Sequence, residues 1–345
     1  MHESRVHALI SEAVAQHVTP AATIEVGSAT RVYVQHAAGR LTYSDDAPMC
    51  TPETIFDLAS LTKVVATASI AMRAVDEGAL ALDATIASIE PKWRGADRAG
   101  VTVRHLLDHS SGLPAHIKLF ESAEGRDAFL SRIVDQPLAY APGSASEYSD
   151  LGFILLGFLL ERVLGQPLDA MFGELAAHLE APIRYCPPDA WRAQTAPTEF
   201  DPWRGRLIQG DVHDENAAAL GGVAGHAGLF GPARAVGSFA QAVLQTMTAD
   251  TWLARRQTIT TFATRSAVAG SSRALGWDTM LPTSSCGSHM SASAIGHTGF
   301  TGTSLWIDPA RDLYVVLLTN RVHPSRHNEG IQTLRRAVHD AAVAE

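Results

Sequence analysis

The chain has 345 residues, 46% of them hydrophobic and 18% charged, enough for one large domain or two intimately packed ones. A net charge of −9 argues against a nucleic-acid partner, which wants a basic face. No apolar run approaches membrane-spanning length, and the opening Met1-His2-Glu3-Ser4-Arg5-Val6-His7 lacks the apolar core of a signal peptide, so no membrane partner and a cytoplasmic location are expected.

Taken in order, residues 4–18 read as an amphipathic helix with apolar positions at 6, 9, 10, 13 and 14. Residues 22–27 and 30–36 follow as short strands joined by a turn, an antiparallel pair. A stretch rich in Asp, Pro and Thr then leads into Phe56-Asp57-Leu58-Ala59-Ser60-Leu61-Thr62-Lys63 and an apolar helical run to Met72. From about 100 to 215 the pattern is helical. Residues 103–109 form a helix stopped by Ser110-Ser111-Gly112-Leu113-Pro114, and 124–135 and the strongly apolar 150–164 form two more. After about 216 strand-like runs return; 305–308 and 313–320 suggest a hairpin, and a last helix covers 328–343. The predicted fold is α/β (α+β): an antiparallel sheet flanked by helices, built from residues 1–75 and 216–345, with a mainly helical domain at 76–215 inserted.

The chemistry starts at Ser60 and Lys63. Residues three apart on a helix share a face, so the amine is held near the hydroxyl inside a segment fit for burial. A buried lysine loses pKa and can help activate a hydroxyl, while N–H groups at the helix start can stabilise an oxyanion. The spacing alone is equally compatible with an N-cap serine and a lysine reaching for water. Of the three lysines (63, 92 and 118), only Lys63 has a serine three residues before it, and it lies in the most apolar setting.

Two further segments stand out. Tyr148-Ser149-Asp150 opens the apolar helix, where a tyrosine can face a cleft and an acid two positions on can hold a cation; the plain alternative is a helix cap. His297-Thr298-Gly299-Phe300-Thr301-Gly302-Thr303 precedes a strand, and its glycines let backbone approach a ligand; the alternative is an ordinary turn. His105 and His109 have metal-ligand spacing, but the glutamate of a zincin is missing, so no metal is expected. Cys50, Cys186 and Cys286 are far apart and read as reduced thiols.

The order Ser-x-x-Lys, Tyr-x-Asp, His-Thr-Gly resembles the serine β-lactamase and penicillin-binding-protein superfamily, most closely its class C, DD-peptidase and family VIII esterase branch. Residues 102–114, 148–157 and 221–230 are similar to recurrent segments of that family, and the resemblance covers nearly the whole chain. It implies that Ser60 is the nucleophile of an acyl-enzyme, activated by Lys63, with Tyr148 as general base and proton donor to the leaving group. It implies an oxyanion hole from the N–H groups of Ser60 and Phe300, and a substrate edge from His297, Thr298 and Gly299. His226 is placed in the pocket, and Asp150 beside Lys63. No cofactor is implied.

Two positions depart from the commonest family pattern. Asp150 replaces an asparagine, which favours a protonated Lys63 and shifts the base role towards Tyr148. His297 replaces a lysine and is mostly uncharged at neutral pH, so efficient β-lactam hydrolysis is not expected. His213, Asp214 or Asn216 is a candidate for the cleft rim, against a solvated Asx turn, while Arg321 and Arg326 are expected to pair locally at the surface. The expected activity is acyl transfer from a small ester or amide to water, by an esterase, an amidase recycling cell-wall fragments, or a DD-peptidase-like enzyme. The rival of another class is a non-catalytic binding module on the same fold.

Overall fold

The computed structural model describes residues 3–343. Helix α1 (Glu3–Ala15) leads into strands β1 (Ala21–Gly27) and β2 (Val32–Gly39), and β3 (Phe56–Asp57) precedes a π-helical turn at Lys63–Ala68 that continues as α2 (Ser69–Asp76). Helices α3 (Ile86–Ile89), α4 (Val103–Leu107), α5 (Gly125–Val134), α6 (Asp150–Leu164) and α7 (Leu168–Ala176) fill the middle of the chain. The short strands β4 (Arg184–Tyr185), β5 (Phe200–Asp201) and β6 (Arg206–Leu207) come next, then α8 (Glu215–Ala219) and β7 (Leu229–Gly231). Helices α9 (Ala233–Thr248) and α10 (Arg256–Ala263) precede β8 (Asp278–Thr279), β9 (Ile295–Thr298), β10 (Ser304–Asp308), β11 (Leu313–Thr319) and α11 (Ile331–Val343).

Both chain ends build one six-stranded antiparallel sheet in the order β2-β1-β11-β10-β9-β8. Strand β11 is buried throughout, and its side chains divide by alternation between two cores. Val315 and Leu317 join Ile24, Val26 and Trp306 under α1 and α11. Tyr314, Val316 and Leu318 face the other way, onto Val236, Phe239 and Val243 of α9. Each fully buried Leu, Ile or Val contributes about 1.5–3 kcal/mol of transfer free energy, so a strand apolar on both faces belongs at the centre of the sheet.

Helices α9 and α10 were not among the elements expected after residue 216, where strand-like runs and one last helix were read. Apolar residues 235, 236, 239, 240, 243 and 244 repeat at helical spacing and are buried. Gly237, which reads as a breaker, sits there because a Cβ would collide with the buried Glu25 carboxylate. Glu25 in turn accepts from Tyr314 Oη at 2.7 Å and Arg234 Nη1 at 2.8 Å. The first and last helices are shorter than expected, ending at Ala15 and starting at Ile331.

A small sheet, β3-β7-β4, ties the middle of the chain to the frame. One of its strands, β4, lies in the stretch expected to be a separate helical domain, and the larger core runs continuously from Ala21 through α6 to Leu318. Helix α6 is buried from Leu151 to Leu160, starts at a Ser149 cap that accepts from Gly152 N at 3.1 Å, and stops at left-handed Gly165. It delivers Asp150 to the foot of the π-helical turn. No single helix among the described residues is long and apolar enough to cross a membrane.

Candidate active site

Ser60 follows a strained turn. Ala59 has φ of +47°, a conformation that L-residues adopt at a cost and that clusters at functional sites. Two contacts hold it. Ala59 N donates to Asp57 Oδ1 at 2.8 Å, and Asp57 Oδ2 accepts from His213 N at 2.6 Å. Asp57 is buried; desolvation raises its pKa against those hydrogen bonds. Neither the sequence pattern nor the resemblance pointed to Asp57, whose role depends on a neighbour 156 residues away.

Lys63 is fully buried and all three of its amine protons are used, towards Ser60 Oγ at 3.0 Å, Asp150 Oδ1 at 2.8 Å and the His226 carbonyl at 3.0 Å. It does not reach for water. Burial alone would discharge it; the Asp150 carboxylate and the Tyr148 oxygen outweigh burial and hold it above the ordinary lysine range. Burial would likewise raise Asp150, but Lys63 and His116 bring it well below the usual carboxylate range. Tyr148 is pushed up by burial and pulled down by Lys63, and burial prevails. The resting state at neutral pH is therefore ammonium, carboxylate and neutral phenol.

The Tyr148 ring is crowded by charge. Lys63 Nζ lies 4.8 Å and the Arg273 guanidinium 5.2 Å from its centroid, with His109 and His297 rings at 4.7 and 5.8 Å. His297 donates from Nδ1 to the Thr298 carbonyl at 2.8 Å, which leaves Nε2 as an acceptor with no partner among the described residues. Burial first, then the charges of Lys63 and Arg273, hold its pKa well below that of free histidine. His297 is neutral here.

Strand β9 carries the segment expected to form a substrate edge. β8 pairs only with Ile295 and Gly296, so on the side away from β10 the edge at His297 and Thr298 is left open. The Gly299–Thr303 loop is stitched to the backbone before Ser60 by Thr301 Oγ1, which donates to Asp57 O at 2.8 Å, and by Thr303 Oγ1, which donates to Leu58 O at 3.1 Å. Among the described residues the N–H groups of Ser60 and Phe300 donate to nothing. Gly299 is required: a Cβ there would overlap Thr303 Oγ1 and lie 2.8 Å from the Leu58 carbonyl. Gly299→Ala is expected to lower kcat/KM by about 10- to 100-fold by shifting the Phe300 N–H, less than the roughly 100- to 1000-fold that outright loss of an oxyanion donor costs; steady-state kinetics on the folded variant check it.

These groups line a cleft of about 740 Å³ that includes Ser60, Tyr148, Asp150, His297, Thr298, Gly299 and Phe300. His226 is placed differently from expectation. Its ring does not line the cleft; it turns onto Asp214 (Nε2–Oδ1 2.8 Å), and only its carbonyl reaches Lys63. Helix α6 sets that carbonyl, since a Cβ on Gly157 would sit 3.2 Å from Gly225 Cα and Thr67 Oγ1 donates to the Gly225 carbonyl at 2.7 Å. His213 and Asp214 line the wall, whereas Asn216 is buried and clamps the 117–120 turn. His105 caps its own helix through Nδ1 and His109 accepts from Ser149 N at 3.0 Å, so the pair that had metal-ligand spacing serves two different backbones.

Arg326 pairs locally with Glu199 and Glu215 while lining the cleft. Arg321 also lines it, stacked 4.6 Å over Phe300. Arg273 and His116 are cleft residues that no motif signalled. His116 Nδ1 lies 3.6 Å from Asp150 Oδ2, and Arg273 has no carboxylate within ion-pairing distance among the described residues.

The Beta-lactamase family model matches residues 6–339. This chain belongs to the beta-lactamase family. Within it, the chain is 32% identical to the N-acetylmuramyl-L-alanine amidase of Bacillus subtilis (strain 168), over 78% of this chain and 68% of that one. It is 34% identical to a putative D-alanyl-D-alanine carboxypeptidase of Escherichia coli (strain K12), over 79% and 70%. The fold of this beta-lactamase family member matches EstCE1, a hydrolase with promiscuous acyltransferase activity, at a TM-score of 0.78 and 21% identity over 99% and 98% of the two chains. It also matches a class C beta lactamase from Rhodobacter sphaeroides at 0.74 and 20%, over 98% of each.

Proposed function

We propose that the protein is a serine hydrolase that forms an acyl-enzyme through Ser60 on a small ester or amide, and that its preferred substrates are amides carrying a carboxylate, such as fragments of cell-wall peptide. The observation that carries this reading is the buried Lys63 amine 3.0 Å from Ser60 Oγ, with Ser60 lining a cleft where the N–H groups of Ser60 and Phe300 are unused among the described residues. Once the Lys63–Tyr148 pair has lost one proton to solvent, it takes the proton of Ser60 Oγ as Oγ attacks the substrate carbonyl. The developing oxyanion is met by Ser60 N–H and Phe300 N–H. Tyr148 then protonates the departing amine or alcohol, and the same pair takes a proton from the water that releases the acyl group.

Two features support a carboxylate-bearing substrate. Arg273 stands over Tyr148 with its charge unpaired among the described residues, and a guanidinium matches a carboxylate by two parallel hydrogen bonds. The open edge of β9 suits a peptide backbone laid alongside it. The relatives named for amidase and carboxypeptidase activity point the same way. Neutral His297, where a lysine is common, leaves this carboxylate to Arg273, and β-lactam turnover is expected to be slow.

A hydrolysis panel tests the substrate class: short p-nitrophenyl esters against N-acetylmuramyl-L-alanine and D-alanyl-D-alanine peptides, with Arg273→Met alongside wild type. The reading expects amide turnover whose KM rises at least tenfold in Arg273→Met, while neutral esters are unaffected in KM. Ester turnover alone, equal in both proteins, would show a plain carboxylesterase.

A further inference from the structure

On the wall of the same cleft, against the Gly299–Thr303 loop, lies a largely buried cation with no counter-charge among the described residues. Arg335, on α11, is 9% exposed, and no carboxylate among the described residues pairs with it; the charge that bears on it is that of another cation, Arg321. Burial, then Arg321, bring its pKa down to about 9. A single nitrogen, Nη2, donates to the carbonyls of Gly299 at 2.7 Å and Thr303 at 2.8 Å, while Nε has no partner.

Those carbonyls do not need the arginine. Gly299 O also accepts from Gly302 N at 3.1 Å, and Thr303 O from Gly299 N at 2.8 Å. The loop is separately anchored by the hydroxyls of Thr301 and Thr303. A buried unpaired charge carries a large desolvation cost, and here it rescues no orphaned acceptor. Features that break the rules of stable packing concentrate where function needs them.

What Arg335 grips is telling. The Gly299 carbonyl and the Phe300 N–H are the two ends of one planar peptide unit. A cation on the carbonyl draws electron density across the amide, strengthens the N–H as a donor and fixes the plane in which it points. We propose that Arg335 is a positioning residue for acylation, acting with its charge through the Gly299–Phe300 peptide to strengthen and aim the oxyanion N–H. This rests on the acyl-enzyme reading above.

The test compares Arg335→Met, Arg335→Gln and Arg335→Lys with wild type on p-nitrophenyl acetate, a neutral substrate that cannot use the guanidinium as a carboxylate anchor. Affinity for phenylboronic acid, which forms a tetrahedral adduct on the serine, and Tm are measured on the same proteins. The expected result is a fall in kcat of about tenfold for Met and Gln with KM within twofold, a parallel loss of boronic-acid affinity, and Tm unchanged or raised. Arg335→Lys, which keeps the charge and a donor, returns kcat to within threefold of wild type. Wild-type kcat in Arg335→Gln would overturn the proposal. So would a loss of activity that tracks a fall in Tm across all three variants. If wild type itself shows no turnover that depends on Ser60, the acyl-enzyme reading has failed and this proposal falls with it.

Discussion

Lys63→Met is expected to slow acylation of Ser60 by at least about a thousandfold, within the range that general-base and nucleophile-activating groups supply. The substitution removes the only cation within hydrogen-bonding distance of Ser60 Oγ among the described residues. It also strands Asp150, whose carboxylate rests on Lys63 Nζ at 2.8 Å. Breaking a buried pair from one side costs about 3–5 kcal/mol; the Asp150 side chain is 18% exposed, which puts the expectation at the lower end. Adding Asp150→Asn to Lys63→Met removes the stranded charge, so Tm recovers while acylation does not. Recovery of both would mean that Lys63 serves only the fold, and single-turnover acylation rates alongside thermal melts distinguish the two.

Asp150→Asn alone is expected to move the pH dependence of kcat/KM. The resting pair is protonated Lys63 and neutral Tyr148, and acylation needs the pair to have lost one proton. Lys63 and Tyr148 interact strongly, so the acid limb of the profile belongs to the pair and not to either residue. The Asp150 carboxylate raises Lys63 and opposes ionisation of Tyr148, so wild type gains activity as the pH rises towards the alkaline side. Removing the negative charge makes proton loss easier. The acid limb therefore shifts to lower pH, by at least about one unit for a charge this close. A profile from pH 5 to 10 on both proteins gives the answer; an unchanged limb, or one displaced to higher pH, would show that Asp150 does not set the state of the pair.

The legible part of this chain was the part in which chemistry is local. Ser60 and Lys63 are three residues apart, and the side chains meet as the spacing requires. Asp150, two residues after Tyr148, holds the cation that its position suggested. Strand pairs joined by short turns, β1–β2 and β10–β11, carried their own punctuation. Long-range placement was not legible. Helix α9 carries a glycine, Gly237, whose reason is Glu25, on a strand some 200 residues away. His226 was put in the pocket as a side chain, yet the site takes its carbonyl, and which of the two faces Lys63 is decided by the packing of Gly225 on α6. Arg273, His116 and Arg335 have no motif around them, and Asp57, three residues before Ser60, stood in the motif unremarked; each matters through a neighbour that only the fold supplies.

The central claim is that Ser60 is an activated nucleophile. Intact mass after treatment with a fluorophosphonate probe tests it most directly, on wild type and on Ser60→Ala. The account predicts one adduct on wild type and none on Ser60→Ala. A folded wild type that stays unlabelled, or labelling that survives the loss of Ser60, would contradict it.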